Sequence, residues 1–109
     1  KESFIVAPLC AAGETVVPLV TEKIKDRNLE RRLYAIAFLG TAESKLPADA
    51  LEVIVVDETE RESFRSEALR SLFLVDEARG RSVALRYKER PGNVGQTANE
   101  VLEVKDHAK

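Results

Sequence analysis

The chain has little cysteine and histidine, the residues that build most metal centres, disulfides and nucleophilic sites. It contains one cysteine, Cys10, one histidine, His107, and no methionine or tryptophan. A cysteine–histidine zinc site and an intrachain disulfide are therefore excluded, and a Ser-His-Asp apparatus would have to use a histidine near the C-terminus. We expect Cys10 to pack as a small apolar side chain and His107 to lie in a solvated tail. The composition thus predicts no metal, no cofactor and no enzymatic activity.

Long apolar runs, glycine-rich loops and an excess of either charge are also missing. No apolar run approaches the roughly 18 residues of a membrane span, so we expect no membrane segment. The five glycines form no phosphate-binding loop. The 17 basic and 19 acidic residues leave a net charge of −2, without the broad basic excess that often indicates nucleic-acid binding. Nucleic acid is therefore not an expected partner.

An internal repeat is the strongest signal in the sequence. The 109 residues are 44% hydrophobic, enough for one folded domain. Three segments align within it, RRLYAIAFLG (31–40), FRSEALRSLF (64–73) and VGQTANEVLE (94–103). The alignment places alanine in one column and leucine four positions later, as Ala35 and Leu39, Ala68 and Leu72, and Ala98 and Leu102. The spacing of 33 and then 30 residues predicts a helical repeat.

Each copy carries apolar residues at helical spacing, and the segments between the copies have the same periodicity. We interpret residues 16–26, 46–58 and 81–90 as partner helices. The chain is then a single domain, 1–109, with an orphan helix at 3–12 and helix pairs at about 15–43, 46–77 and 80–106.

The stretch Val53–Val56 is the weak point of this assignment, because a β-branched run favours a strand in isolation. We assign it to a helix because the repeat requires one there and no pairing partner lies nearby. A strand at this place would instead indicate an α/β fold.

The repeat resembles the HEAT-type helical repeat, in its short-period form found among bilin-lyase-related proteins. That family pairs an outer helix, often with proline, with an inner helix, and has an aspartate in the turn and an arginine early in the inner helix. The first two copies match at these positions, with Asp26 and Arg32, then Asp57 and Arg65. In the third copy Gly95 replaces the arginine, and no aspartate precedes it. The resemblance implies an all-α fold, a right-handed superhelix (solenoid) of about three antiparallel helix pairs.

Such a stack leaves an extended curved surface, and the resemblance implies that this surface holds another protein. We expect the contacts at positions of the inner helices outside the apolar stripes, namely Arg31, Tyr34, Arg70, Asn99 and Glu103. A second candidate surface is the basic segment that contains Arg79, Arg86 and Arg90, with Tyr87 among them. An aromatic ring beside basic residues could stack on a base or meet an acidic partner.

The acidic cluster of Asp57, Glu58, Glu60 and Glu62 lacks the alternating pattern of a calcium loop. We expect these carboxylates to serve the dipole of the following helix rather than a cation.

Two alternatives to the scaffold remain open. The chain begins with Lys1, so we expect that a leader was removed or that it is a piece of a longer solenoid. Its apolar terminal helices would then be covered by a longer parent chain or by self-association. An enzyme-assembly role, as in bilin-lyase-related HEAT proteins, is the other alternative. The sequence leaves the partner, the compartment and the oligomeric state open.

Overall fold

Six helices, joined by turns, make up the part of the chain that the computed structural model describes, residues 16–104. They are α1 (Val17–Lys23), α2 (Arg32–Leu39), α3 (Ala48–Val56), α4 (Glu62–Val75), α5 (Glu77–Tyr87) and α6 (Gly92–Glu103). No strand occurs in residues 16–104, and the predicted all-α class is confirmed for them. The expected orphan helix at 3–12, Cys10 and His107 lie outside the described residues.

The β-branched stretch that ends at Val56 is helical. It forms the second half of α3, where Leu51, Ile54 and Val55 are buried while Val53 is 64% exposed. A spacing of three and four residues between buried side chains is that of a helix packed on one side. Tertiary packing therefore overrides the local β propensity, and the alternative α/β fold is wrong for this region.

Helix α5 begins earlier than its sequence suggests. The sequence predicts a start near residue 81, whereas the helix begins at Glu77, and the Asp76 carboxylate accepts the N–H of Arg79 at 3.2 Å as an N-cap. Gly80 therefore lies inside the helix, where a Cβ would be 2.5 Å from the Cα of Phe73. Glycine at this position lets α5 approach α4 closely, so it is an internal packing residue rather than a helix breaker.

The core lies around α4, which contacts α2, α3, α5 and α6. The helices follow one another as the pairs α1–α2, α3–α4 and α5–α6. The second helix of each pair contacts the second helix of the next pair, α2 with α4 and α4 with α6. The residues of the alanine and leucine columns are buried, with one exception: Ala35, Ala68, Ala98, Leu39 and Leu72. The exception is Leu102, which is half-buried. The helices extend over 40 × 35 × 18 Å, and the smallest dimension corresponds to about two layers of helices roughly 10 Å across.

Within residues 16–104, the helices are too short or too polar to cross a lipid bilayer.

Candidate protein-binding surface

Two buried arginines join the helices of the first two pairs. Arg32, the first residue of α2, donates its Nε–H to the carbonyl of Ile24 at 2.8 Å, and Arg65 in α4 donates to the carbonyl of Val55 at 2.8 Å. Both side chains are nearly fully buried. Each guanidinium thus satisfies a backbone acceptor at the C-terminal end of the preceding helix, which would otherwise lack a partner. The two arginines that align in the sequence therefore perform the same task.

The two aligned aspartates also make equivalent contacts. Asp26 accepts the backbone N–H of Asn28 at 2.9 Å, and Asp57 accepts that of Thr59 at 2.9 Å. Each aspartate thereby closes a local turn between two helices. Hydrogen bonds from the Thr59 hydroxyl and backbone hold the pKa of Asp57 below its usual value, and Arg27 adds to this effect.

The acidic cluster is dispersed among separate arginines. Its members interact with different groups: Asp57 with Arg27, Glu58 with Arg90, Glu60 with Arg32, and Glu62 with both Arg65 and the backbone N–H of Val94. Glu62 alone lies within the first turn of α4. The expectation that the whole cluster serves the dipole of that helix is therefore wrong, because the tertiary fold brings arginines from three other elements to it.

The basic face of α5 is neutralised by the acidic side of α3. Arg79 contacts Glu52 at 2.6 Å and Asp49 at 2.5 Å, and Arg86 lies 3.8 Å from Glu52. The hydrogen bonds to Asp49 and Glu52 raise the pKa of Arg79 above its usual value. These residues tie one helix pair to the next, and a partner would have to compete with the internal carboxylates for them.

Tyr87 is not available for stacking on a ligand, because it is buried with 5% of its surface exposed. Its ring is covered by the guanidinium groups of Arg65, Arg86 and Arg90, 5.0–5.8 Å from the ring centroid. Arg90 also pairs with both carboxylate oxygens of Glu58, at 3.1 and 2.8 Å. Their hydrogen bond holds the pKa of Glu58 below its usual value and raises that of Arg90.

A groove of about 290 Å³ runs along the face formed by the second helices, and we call it the second-helix groove. It is lined by side chains from three helices: Leu33 from α2; Ser63, Ser66, Glu67 and Arg70 from α4; and Asn93, Gln96 and Thr97 from α6. The α4 residues share a face, because residues three, four and seven apart along a helix lie on one side. Hydroxyl and amide groups from neighbouring helices therefore converge on one depression.

The expected contact residues are divided between this groove and other places. Arg70 lines the groove and lies 3.4 Å from both Glu67 and Glu100. Tyr34 is 67% exposed on α2. Arg31 immediately precedes α2, in a left-handed backbone conformation with φ 61°, and its guanidinium lies 5.1 Å from the Tyr34 ring centroid.

The two candidates on α6 differ in their roles. Asn99 donates to the carbonyl oxygens of Lys88 and Gly95, both at 2.9 Å, so its side chain ties α6 to the end of α5. Glu103 is exposed in the last turn of α6.

Sequence reasoning missed most of the groove. Ser63, Ser66, Asn93 and Gln96 are small or uncharged polar residues that form no motif. The available signal was their position, since they recur at three-residue spacing beside the apolar stripes of α4 and α6. Periodicity could place them on one face of each helix, but the pairing of α4 with α6 brings the two faces together.

Within the part of the chain that the structure describes, no group of three or more histidine, cysteine, aspartate or glutamate residues is arranged to hold a metal ion. No family model matches the chain, and neither the curated proteins nor the solved structures include a significant match to it.

Proposed function

We propose that the chain is a HEAT-like superhelical stack of three helix pairs, and that its second-helix groove holds an extended segment of another protein. The convergence of polar side chains from α2, α4 and α6 on this groove carries the proposal. The equivalent hydrogen bonds of Arg32 and Arg65, and of Asp26 and Asp57, support the repeat. The successive contacts of the second helices support the stack.

The lining of the groove suits a polypeptide backbone. The side chains of Ser63, Asn93 and Gln96 make no hydrogen bond to another described residue, so their donors and acceptors are available. Primary amides offer both a donor and an acceptor, as the peptide group does. An extended segment exposes its N–H and C=O groups and can therefore bind such a groove without supplying a particular side chain at every position.

A selection from a library of random 12-residue peptides tests this function. Recovered peptides are labelled with fluorescein and titrated by fluorescence anisotropy, and we expect dissociation constants on the order of 1–100 μM. The double variant Asn93→Ala/Gln96→Ala should weaken binding about tenfold or more, because it removes two hydrogen-bonding amides.

The matched control is Ser82→Ala/Glu89→Ala, which removes two exposed polar side chains from α5 and the turn after it. It should leave the affinity unchanged, and circular dichroism should show the same helix content in both variants. The proposal is overturned if no peptide is recovered, or if the recovered peptides bind both variants equally well.

Self-association through the terminal helices is a second candidate, favoured by exposed apolar side chains. Leu19 on α1, the first helix of the described residues, is 57% exposed, and Val104 directly after α6, the last one, is 37% exposed. Light scattering over a wide concentration range measures the molar mass directly. We expect any dimer to dissociate in the Leu19→Glu variant, because a charge would be buried in the contact. A constant monomeric mass up to high concentration would exclude this candidate.

A further inference from the structure

Two arginines stand apart from the others because they form no ion pair with a described residue. They are Arg31 and Arg61, and even Glu30, next to Arg31 in the chain, does not pair with it. Every other arginine of residues 16–104 pairs with at least one carboxylate, namely Arg27, Arg32, Arg65, Arg70, Arg79, Arg81, Arg86 and Arg90. In a chain with a net charge of −2, internal carboxylates neutralise the rest and leave these two.

Both arginines are the residue directly before a second helix, although they fall in different columns of the repeat. Arg31 directly precedes α2 and Arg61 directly precedes α4. Each guanidinium lies over an aromatic ring three residues further on, Arg31 over Tyr34 at 5.1 Å and Arg61 over Phe64 at 5.8 Å. Both arginines are exposed, and a guanidinium held over a ring keeps its edge donors for a carboxylate, which it can bind with two hydrogen bonds.

The helix dipole reinforces the charge of Arg31 but not that of Arg61. The amino-terminal end of a helix carries a partial positive charge, and the first turn of α2 contains no acidic residue. Glu62 lies in the first turn of α4, and its carboxylate is engaged with Arg65 and the N–H of Val94. The positive end of α2 therefore adds to the guanidinium charge of Arg31, whereas Glu62 offsets the positive end of α4.

Both arginines directly precede the helix starts that form one end of the second-helix groove. Leu33, two residues after Arg31, and Ser63, two residues after Arg61, both line the groove. Arg61 itself lines a separate depression of about 380 Å³. A chain that extends past these helix starts therefore continues towards the residues that carry the two guanidinium groups.

The groove also contains a buried hydroxyl that the described residues leave without a partner. Ser66 is 5% exposed and lines the groove, and its Oγ has no hydrogen-bond partner among the described residues. Buried polar groups are nearly always paired in complete assemblies. This oxygen is itself enclosed by the surrounding protein, so the ligand's contacts are expected at the exposed side chains of the groove instead.

Resting on the proposed function, we infer that the groove's ligand is an acidic extended peptide whose carboxylates pair with Arg31 and Arg61. A basic peptide would place like charges together at this end. A nucleic acid needs a continuous row of cations for its phosphates, whereas Glu67 lines the groove and Glu100 is paired with Arg70 beside it.

The test uses the peptides recovered by the selection described above. Aspartate and glutamate should be enriched among them at one end of the sequence. For one such peptide, replacement of its carboxylates by amides should weaken binding about tenfold. The protein variant Arg31→Gln/Arg61→Gln should weaken the acidic peptide by a similar factor and the amide peptide much less.

The matched control is Lys23→Gln/Lys88→Gln, which removes the same total charge from two lysines that form no ion pair with a described residue. It should leave the affinity within about twofold, because neither lysine lines the groove and exposed charges outside a contact are partly screened at physiological salt.

Three results would overturn the inference, and they separate it from the proposed function. Peptides that depend on Asn93 and Gln96 but tolerate Arg31→Gln/Arg61→Gln would leave the groove function standing and remove the acidic ligand. An equal loss of affinity in the arginine and lysine variants would show that the peptide responds to the net charge of the protein and not to these two arginines. A labelled 12-nucleotide poly(A) RNA that binds more tightly than every peptide, and depends on Arg31 and Arg61, would assign the arginines to nucleic acid.

Discussion

The first two helix junctions differ from the third in how the start of the second helix is held. At α1–α2 and α3–α4, a buried arginine reaches across to a backbone carbonyl of the preceding helix. At α5–α6, Gly95 occupies the aligned position, and a Cβ there would lie 1.7 Å from the carbonyl oxygen of Arg90. The residue at this position of the repeat therefore joins the two helices through a long side chain at the first two junctions, and through direct backbone contact at the third.

The difference shows that the departure of the third copy from the repeat pattern follows from its geometry. An arginine at position 95 would have no room for its own Cβ, so the close approach of the Arg90 carbonyl excludes it. Asn99 fastens this junction in its place, with hydrogen bonds to the carbonyls of Lys88 and Gly95. The helices remain joined, although the aligned arginine is absent.

A substitution that disrupts the third junction should lower the free energy of unfolding more than any other. In Gly95→Ala the new methyl group meets backbone rather than a movable side chain, so α6 must shift, and we expect a loss of about 4 kcal/mol or more in unfolding free energy. Urea denaturation followed by circular dichroism measures it. Gln96→Ala, on the exposed side of the next residue, is the control and should change stability by less than about 0.5 kcal/mol. A Gly95→Ala protein as stable as the parent would contradict the close backbone contact.

The first junction should be the next most sensitive, because its ion pair is buried on both sides. The side chains of Arg32 and Glu60 are 3% and 6% exposed and lie 2.6 Å apart. Arg32→Met leaves a buried carboxylate without its partner and should cost about 3–5 kcal/mol. The double variant Arg32→Met/Glu60→Gln should recover part of this loss in a double-mutant cycle. Strict additivity of the two single changes would show that the pair is not coupled.

The second junction should tolerate the same change better, which sharpens the comparison between the two arginines. The partners of Arg65 are Glu58 and Glu62, about half exposed and 3.6–3.7 Å away. Both carboxylates can return to water, so Arg65→Met should cost about 1–2 kcal/mol, mainly for the lost hydrogen bond to Val55. Equal losses for Arg32→Met and Arg65→Met in the same urea titration would refute the role assigned to partner burial.

The smallest expected change in stability concerns the ion pair between Arg90 and Glu58. This pair holds the residue whose backbone carbonyl lies against Gly95. Arg90 holds the pKa of Glu58 below its usual value of 4.5. A carboxyl whose pKa is lowered by folding stabilises the native state above the unfolded pKa, and this contribution is lost as the pH falls through the lowered value. Between pH 6 and pH 3, Glu58→Gln should therefore lose less stability than the parent. Thermal midpoints at the two pH values measure the difference, and Glu89→Gln should behave like the parent.

Much of the fold was predictable because helical periodicity is a local property. The columns of alanine and leucine indicated α2, α4 and α6, and they placed Val53 and Val56 in a helix against their own β propensity. The start of α5 was predicted near residue 81 rather than at Glu77, because the apolar periodicity becomes clear only after Gly80. The close approach of Gly80 to Phe73 is a tertiary contact that periodicity does not contain.

The candidate surface was less predictable, because charges choose their partners in three dimensions. The sequence identified Arg31, Tyr34 and Arg70 as exposed positions, but it also selected Asn99, which serves the α5–α6 junction. It grouped Arg79, Arg86 and Arg90 by their closeness along the chain, whereas the fold pairs these arginines with carboxylates about 30 residues away.

The sequence by itself determined the approximate positions of the helices of residues 16–104 and their apolar faces, apart from the start of α5, since these depend on residues three and four positions apart. The tertiary structure alone decided which arginines are neutralised and which polar faces meet in a groove. The physical reason is the distance along the chain over which each feature is determined. Helical periodicity is set within one or two turns, whereas ion pairs and grooves depend on how α2, α4 and α6 lie against one another.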